Sequence, residues 1–428
     1  MNELHWLSAK ELLAAYRTHA LSPVEVTECL LGRIEALDAQ VNAFCLVDPE
    51  ATMAQATASE ERWQSGEPTG LLDGVPVAIK DLVLSKGWPT LRGSKTVARD
   101  QPWEHDAPSV ARLREHNAVF IGKTTTPEFG WKGTNDAPLT GITRNPWNLH
   151  KTPGGSSGGA GAALAGGFCP LAIGTDAGGS IRIPASFSGV FGLKPTFGLV
   201  AAWPASPFGT LAHLGPMSRT VEDAALFLNV LSEPDARDWF QQPFPRTDFT
   251  QHLDRGINGA RVAFSPRLGW AKRVDPEVEE IVARATARFG ELGAIVEHAD
   301  PAGGDPTAIF RTLYVSGAGF LLGDMPEEKL QQLDPGPRAL VEESRRITRK
   351  EFQQATAERA NYGAGLKSFM QTYDFILTPS TAVAAFDTPL VTPFDPKGQM
   401  WTEWTPFTYP FNLTQQPAAS ICCVRLKG

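Results

Sequence analysis

The sequence predicts an α/β protein with a mainly parallel sheet covered by helices, because strand and helix patterns alternate twice along the chain. Residues 75–79 are a short apolar run typical of a buried strand. Val110 and Leu113 then indicate a helix, and residues 118–121 a second strand. The same alternation returns beyond residue 260.

The N-terminal part is predicted to be helical. Ser22 and Glu25 form a capping box, and Pro23 occupies the first helical position. Apolar residues then recur at helical spacing, at Val26, Leu30, Ile34 and Leu37.

The middle of the chain, residues 140–200, is dense in glycine and poor in charge. Within it, an alanine-rich run at 160–167 predicts a helix of small residues, and residues 171–173 predict a short strand. Thr220 and Asp223 cap a further helix. Its inward residues are predicted to be Val221, Ala225, Leu228 and Leu231.

Residues 233–258 are rich in Pro, Asp and Gln and predict a surface excursion, or else a domain boundary. After it, a helix opens at Asp275 and Pro276 and closes at Gly293. Its apolar face is predicted to hold Val278, Ile281, Val282, Ala285, Phe289 and Leu292. Strands are predicted at 262–264, 294–296 and, as a buried strand, 375–377, with mostly helix over 305–371.

Composition excludes several classes of protein. The net charge of −8 and pI near 5.6, with no basic cluster, argue against nucleic-acid binding. Neither a signal-peptide pattern nor a stretch of about 18 apolar residues is present, so no membrane span is expected. The five cysteines lack C-x-x-C spacing, which fits a reducing cytoplasm.

The stretch TPGGSSGG at 152–159 has four interpretations. An isolated segment of this kind is typical of a flexible linker. However, glycines inside the helix that follows cost about 1 kcal/mol each, which requires close packing or an active-site approach. A phosphate-binding loop is excluded because no lysine follows the glycines. A nucleophile elbow at Ser156 lacks the apolar strand it needs before the serine.

A second motif, GTDAGGSIR at 174–182, follows the strand at 171–173. A Gly-Gly-Ser turn at a strand end can direct backbone N–H groups into one concavity, as in an oxyanion hole, although a plain tight turn is the alternative. Lys80 ends the strand at 75–79 and can act as a base only when neutral. Burial can achieve that because desolvation disfavours the charged form. The eight histidines lie outside these motifs, and no H-E-x-x-H spacing appears, so no metal is predicted.

Taken together, these motifs resemble the amidase signature family. The order of Lys80, GGSSGG at 154–159 and TDAGGSIRIP at 175–184 agrees, as does the 24-residue step from Ser156 to Ser180. FGLKPT at 191–196 and GPMSRT at 215–220 extend the resemblance.

The resemblance implies a Ser-Ser-Lys triad in which Ser180 attacks the amide carbonyl, Ser156 relays the proton and neutral Lys80 is the base. An acyl-enzyme forms and water hydrolyses it. The oxyanion hole is implied at the amides of Ala177, Gly178, Gly179 and Ser180. Ser157, Asp176 and Arg182 are implied to fix the two loops. Gly130 and Trp131 are implied to line the acyl pocket, with ordinary core packing as the alternative for Trp131.

The fold implied is one amidase domain over 1–428, with a mixed, twisted central sheet flanked by helices on both faces. Its signature core covers about 71–232 and its C-terminal α/β portion about 259–428. One departure concerns residues 422–428, where the family usually continues with a turn, a strand and a closing helix. We expect a truncated end there, which would expose a sheet edge and promote association.

The expected function is that of a free-standing, cytoplasmic amidase acting on small aryl or alkyl amides and water. No cofactor, nucleic acid or membrane is expected. The alternatives are the glutaminase subunit of a tRNA-dependent amidotransferase and a non-catalytic scaffold. Residues 201–216 lack that subunit's usual Tyr-rich stretch, and intact Lys80, Ser156 and Ser180 argue against a scaffold. The sequence leaves open the natural amide and whether the chain forms a homodimer.

Overall fold

The computed structural model describes residues 4–398 and 400–423. Its strands are β1 (Phe44–Leu46), β2 (Pro76–Lys80), β3 (Val119–Thr124), β4 (Asp136–Ala137), β5 (Gly141–Ile142), β6 (Leu171–Asp176), β7 (Phe191–Lys194), β8 (His213–Ser218), β9 (Arg261–Phe264), β10 (Ile295–His298), β11 (Phe375–Leu377) and β12 (Ala418–Ser420).

The α-helices cover most of the remaining chain. They are α1 (Ala9–Arg17), α2 (Pro23–Val41), α3 (Pro49–Ser65), α4 (Pro108–Glu115), α5 (Gly158–Ala165), α6 (Arg182–Ser188), α7 (Val221–Leu231), α8 (Pro276–Glu291), α9 (Thr307–Leu322), α10 (Glu327–Leu330), α11 (Pro335–Ser344), α12 (Arg349–Phe369) and α13 (Pro410–Leu413). Short 3₁₀ turns lie at Leu4–Trp6, Glu128–Gly130, Gly209–Leu211 and Trp401–Trp404. No helix of the described ranges combines the length and the apolar character that a membrane crossing requires.

The central sheet is mixed, in the order β1-β3-β2-β6-β8-β7-β12. Strand β2 runs parallel to both β3 and β6, whereas the other neighbouring pairs are antiparallel. This confirms the mixed sheet that the family resemblance implied. The mainly parallel sheet expected from βα alternation is wrong for this layer, because β8 pairs antiparallel with both β6 and β7.

Helices cover both faces of this sheet, and side-chain alternation along the strands shows how. In β2, Val77 and Ile79 join the core formed with α4 and α7, whereas Ala78 joins the core formed with α2 and α5. Strand β6 repeats the pattern, with Leu171 and Ile173 on the first face and Ala172 on the second. Small residues therefore face α5, and that helix lies close to the sheet.

The glycines of α5 are explained by this close approach. A β-carbon at Gly159 would lie 2.5 Å from the Thr125 amide nitrogen and 2.6 Å from the Ala43 carbonyl oxygen. One at Gly161 would lie 2.9 Å from Ser188 Oγ. Neither position has room for a side chain, so the glycines reflect tight backbone packing rather than a flexible linker.

A separate three-stranded sheet, in the order β10-β9-β11, is parallel throughout. Two predictions about burial in this part of the chain are wrong. Strand β11 is an edge strand and leaves Phe375 49% exposed, and Leu292 at the end of α8 is 60% exposed. Val221, predicted to point inward, is 46% exposed because it occupies the first turn of α7 at the surface.

Most local predictions were confirmed. Ser22 and Glu25 form the predicted capping box of α2, and Thr220 accepts a hydrogen bond from the Asp223 amide. Residues 233–258 contain no helix or strand among the described residues. At the other end, β12 pairs with β7 at the edge of the central sheet. Residues 424–428 lie outside the described residues, so the expectation about 422–428 stays a prediction.

Candidate active site

The candidate base, Lys80, is the last residue of β2 and is fully buried, with 0% of its surface exposed. Its Nζ lies 2.7 Å from Ser156 Oγ, 2.9 Å from Ser157 Oγ and 2.8 Å from Thr175 Oγ1. All three contacts are hydroxyl groups, which can donate as well as accept. The surroundings are therefore suited to an uncharged amine.

Burial lowers the pKa of Lys80 well below its ordinary value of 10.5, and the nearby Asp176 carboxylate only partly opposes this effect. A neutral amine donates two hydrogen bonds and accepts one. The Ser157 hydroxyl already donates to the Thr175 carbonyl at 3.2 Å, so it accepts from Lys80. The lone pair of Lys80 is then left for the hydroxyl of Ser156 or Thr175.

Ser156 is buried beside Lys80, in the loop that precedes α5, and its peptide bond to Gly155 is cis. Gly130 lies against it. A β-carbon at Gly130 would lie 2.8 Å from Leu82 Cδ1 and 3.2 Å from Ser156 Oγ, and its φ of +72° favours glycine. The structure thus brings Gly130 to the site as a residue whose missing side chain leaves room for the Ser156 hydroxyl.

Ser180 begins the turn into α6 and is only partly buried. Its carbonyl accepts a hydrogen bond from the Ser157 amide at 3.0 Å, which joins the two glycine motifs through the backbone. Within residues 4–398 and 400–423, no hydrogen bond is made by the Ser180 hydroxyl. In a structure without substrate, contacts of a reacting hydroxyl are often long, so this geometry leaves Ser180 available.

The loop from Ala177 to Ser180 has two kinds of amide. Those of Ala177, Gly178 and Ser180 find no acceptor in the described part of the chain, so they are free to bind a developing oxyanion. The Gly179 amide instead donates to Asp176 Oδ1 at 2.7 Å. Of the four backbone N–H groups expected in the oxyanion hole, three therefore make no hydrogen bond within the described residues.

Asp176 and Arg182 form a buried, two-pronged ion pair at the base of this loop. Arg182 Nε lies 2.9 Å from Asp176 Oδ2, and Arg182 Nη2 lies 3.0 Å from Oδ1. Burial alone would raise the pKa of Asp176. The Arg182 charge and hydrogen bonds from Arg182 and Asn412 outweigh it and hold that pKa far below its ordinary value. The carboxylate is consequently a permanent acceptor for the loop.

Trp131 packs in an aromatic core. Its ring lies against Gly336 of α11, and its carbonyl accepts a hydrogen bond from the Tyr314 hydroxyl at 2.8 Å. The same core also reaches the loop at residues 177–180, which is named the oxyanion loop for its predicted role. A β-carbon at Gly178 would lie 2.8 Å from both Phe310 Cζ and Trp401 Cη2. The wall beside Gly178 is thus formed by two aromatic rings.

Three contacting residues were missed in the sequence. Thr175 lies inside the recognised motif, and its position near the end of β6 gave a signal that could have been used. Thr408 and Asn412 contact the oxyanion loop from about 230 residues further along the chain. No local pattern links such distant positions.

The arrangement combines a half-exposed serine, a buried serine, a buried amine with a lowered pKa and three free amides. Such a set can activate a hydroxyl nucleophile and stabilise the oxyanion formed when it adds to a carbonyl. These groups together are typical of the active site of an enzyme that acts on acyl compounds.

Comparison with known proteins defines the class further. The family model described as Amidase matches residues 25–426. An acylamidase of Rhodococcus erythropolis is 37% identical over 98% of this chain and 88% of its own length. A glutamyl-tRNA(Gln) amidotransferase component from Chloroflexus aggregans is 40% identical, but over 69% of this chain and 60% of its own length.

Solved structures agree. A bacterial aryl acylamidase of the amidase signature family has a TM-score of 0.91 and 28% identity, over 99% of this chain and 91% of its own. A 6-aminohexanoate cyclic dimer hydrolase has a TM-score of 0.87 at 28% identity, over 98% and 90% of the two chains. The fold and the relatives define an amide-hydrolysing enzyme. The chain belongs to the amidase signature family.

Proposed function

We propose that this enzyme hydrolyses small aryl or alkyl amides through an acyl-enzyme on Ser180, with Ser156 as proton relay and neutral Lys80 as base. The observation that carries the proposal is the 2.7 Å contact between Lys80 Nζ and Ser156 Oγ inside a buried group of hydroxyls. A lysine whose burial favours the neutral form can accept a proton there.

In the proposed acylation step, Ser180 Oγ bonds to the carbonyl carbon of the amide. The Ser180 proton passes to Ser156, and the Ser156 proton passes to Lys80. The free amides of Ala177, Gly178 and Ser180 stabilise the negative charge on the carbonyl oxygen. The relay then returns a proton to the nitrogen, the carbon–nitrogen bond breaks and the amine leaves.

Deacylation repeats these transfers with water in place of Ser180. Water gives a proton to the relay while its oxygen bonds to the acyl carbon, and the carboxylic acid leaves as Ser180 recovers its proton. General acid–base assistance of this kind contributes roughly 10²–10⁴-fold. The Asp176–Arg182 pair takes no proton in this scheme and only holds the loop.

A neutral acyl group suits the residues beside the oxyanion loop. Phe310 and Trp401 form the wall at Gly178, and the charges of Asp176 and Arg182 at the base of the loop neutralise each other. An amino-acid amide such as glutamine would bring two charges into this region, where an unpaired buried charge is costly. We therefore favour an amide without charged groups.

The second candidate is glutamine hydrolysis as one component of an amidotransferase, favoured by the 40% identity to such proteins. Against it, that match covers 69% of this chain, whereas the match to the acylamidase covers 98%. Assaying the purified chain alone on an anilide and on glutamine separates the two. Turnover of glutamine without turnover of the anilide would overturn our choice. A cytoplasmic location and a homodimer remain predictions.

A further inference from the structure

The peptide unit between Gly178 and Gly179 is held at both of its polar ends. Its carbonyl, on Gly178, accepts a hydrogen bond from Thr408 Oγ1 at 2.6 Å, and its N–H, on Gly179, donates to Asp176 Oδ1 at 2.7 Å. All of these groups are buried. The neighbouring amides that remain free belong to the same short loop, so their direction depends on this unit.

The single hydroxyl hydrogen of Thr408 has two acceptors in reach. One is Gly178 O at 2.6 Å, and the other is Thr405 O at 3.1 Å. Thr405 O already accepts the Thr408 backbone N–H at 3.2 Å. The shorter contact is with Gly178, whose carbonyl accepts no other hydrogen bond in the part of the chain that the structure describes. The hydroxyl therefore donates to the loop.

The same segment also holds the other end of the loop. Arg182 donates to the Thr408 carbonyl at 2.8 Å and to Asn412 Oδ1 at 2.7 Å. The Asn412 amide donates in turn to Asp176 Oδ1 at 2.9 Å and to the Asp176 carbonyl at 3.0 Å. Residues 408 and 412 thus bind both the start and the end of the oxyanion loop.

Steric contact adds to these bonds. A β-carbon at Gly179 would lie 2.5 Å from Thr408 Oγ1, and Gly179 has a φ of +134°, so the loop lies directly on the threonine. Rotation of the Gly178–Gly179 peptide would break the bond to Thr408 and the bond to Asp176 together. Preorganised donors of this kind stabilise a transition state without reorganising during the reaction.

We infer that Thr408 is a positioning residue of the active site, whose hydroxyl fixes the direction of the oxyanion-binding amides. This inference rests on the proposed function of the loop. It assigns part of the catalytic geometry to the segment 405–413, outside the glycine motifs. The loop geometry requires a hydroxyl donor at position 408, and a side chain of equal volume without a hydroxyl would not replace it.

The test compares Thr408→Val, which keeps the shape and removes the donor, with Thr408→Ser, which keeps the donor. Thr405→Val is the matched control. Among the described residues, the buried Thr405 hydroxyl makes one hydrogen bond, to Trp401 O at 3.4 Å, and none to the loop. We expect Thr408→Val to lower kcat by roughly tenfold to a hundredfold with KM little changed, less than the loss of an oxyanion donor itself. Thr408→Ser should keep kcat within about threefold of the wild type.

Hydrogen exchange over residues 177–181 supplies a second measurement that does not depend on activity. Thr408→Val should accelerate exchange of the Gly179 amide, whereas Thr408→Ser and Thr405→Val should not. Equal kcat and exchange in Thr408→Val and wild type, or equal loss in Thr408→Val and Thr408→Ser, would overturn the inference. A wild-type chain that cleaves no amide would refute the proposed function alone, since the exchange comparison still decides the role of Thr408.

Discussion

The Ser157 amide donates a hydrogen bond to the Ser180 carbonyl across 3.0 Å, so the two glycine motifs are joined through backbone atoms. No side-chain atom of Ser180 takes part in this bond. The loop conformation is thus separable from the Ser180 hydroxyl, and each can be tested without the other.

The first prediction concerns Ser180→Ala. The exchange should abolish amide turnover and covalent labelling by a fluorophosphonate, because it removes the proposed nucleophile. The fold should be unchanged, because the bond to Ser157 uses the carbonyl. Mass spectrometry of the labelled protein and thermal unfolding provide the measurements. An acyl-enzyme detected in the variant would show that the nucleophile lies elsewhere.

The second prediction concerns the relay. An amide needs a proton on its leaving nitrogen, whereas a nitrophenyl ester expels its phenoxide without that help. Lys80→Ala should therefore reduce amide hydrolysis by a larger factor than hydrolysis of the matched ester, since each assisted step is worth roughly 10²–10⁴-fold. The comparison needs kcat/KM for both substrates. Equal losses would indicate a structural lysine.

The same variant should change the pH profile. Burial lowers the pKa of Lys80, so the wild-type rate should rise with pH up to that lowered pKa, as the amine loses its proton, and then level off. The dependence should be absent from the residual ester hydrolysis of Lys80→Ala. An unchanged profile in the variant would contradict the assignment of the base.

The third prediction concerns stability and pH. In the proposed mechanism Lys80 is neutral in the folded enzyme. Between its lowered pKa and the ordinary value of 10.5, the unfolded chain then binds more protons than the folded chain. The contribution of Lys80 to the free energy of unfolding therefore rises with pH between these two pKa values. The difference in free energy of unfolding, Lys80→Met minus wild type, should fall from pH 7 to pH 10. Denaturant titrations at several pH values measure it, and a constant difference would show that the folded lysine keeps its charge.

The fourth prediction concerns Gly130→Ala. Its φ of +72° makes alanine strained, at about 1–2 kcal/mol, and the new β-carbon would approach Ser156 Oγ to 3.2 Å. Gly66→Ala is the control, because its φ is +74° but no atom lies within 4 Å of its β-carbon. Both variants should lose stability through the positive φ, and Gly130→Ala should lose more because its β-carbon would also lie 2.8 Å from Leu82 Cδ1. Only Gly130→Ala should lose most of its kcat. Equal activity in the two variants would disprove the steric argument at Ser156.

Two neighbours of Lys80, Ser156 and Ser157, were predictable because they lie in a motif that resembles the amidase signature, whereas Thr175 was missed. Glycines inside a helix and a lysine at the end of a buried strand both carry a free-energy cost, and a cost in the sequence signals close packing or function. The direction of the strands was less predictable. Whether β8 runs beside β6 or crosses over depends on packing that no local pattern encodes.

Burial at the ends of elements was also misjudged, as Phe375 and Leu292 show. An apolar residue indicates a strand or helix correctly, but its exposure depends on which elements pack on it. Thr408 and Asn412 illustrate the same limit in the site. Their hydroxyl and amide are ordinary in sequence, and their importance comes only from contacts with residues 230 and 236 positions away.

The contacts of Arg182 with Thr408 and Asn412 have a consequence for synthesis of the enzyme. When Arg182 is added to the nascent chain, its carbonyl acceptor on Thr408 is still 226 residues from being made. At about 5–20 residues per second, that interval lasts roughly 11–45 s. During it, the nascent chain already holds Lys80, Ser156 and Ser180, yet the oxyanion loop lacks its anchor. Hydrolytic activity therefore requires synthesis to have passed Thr408 and Asn412, long after the three candidate catalytic residues have been made.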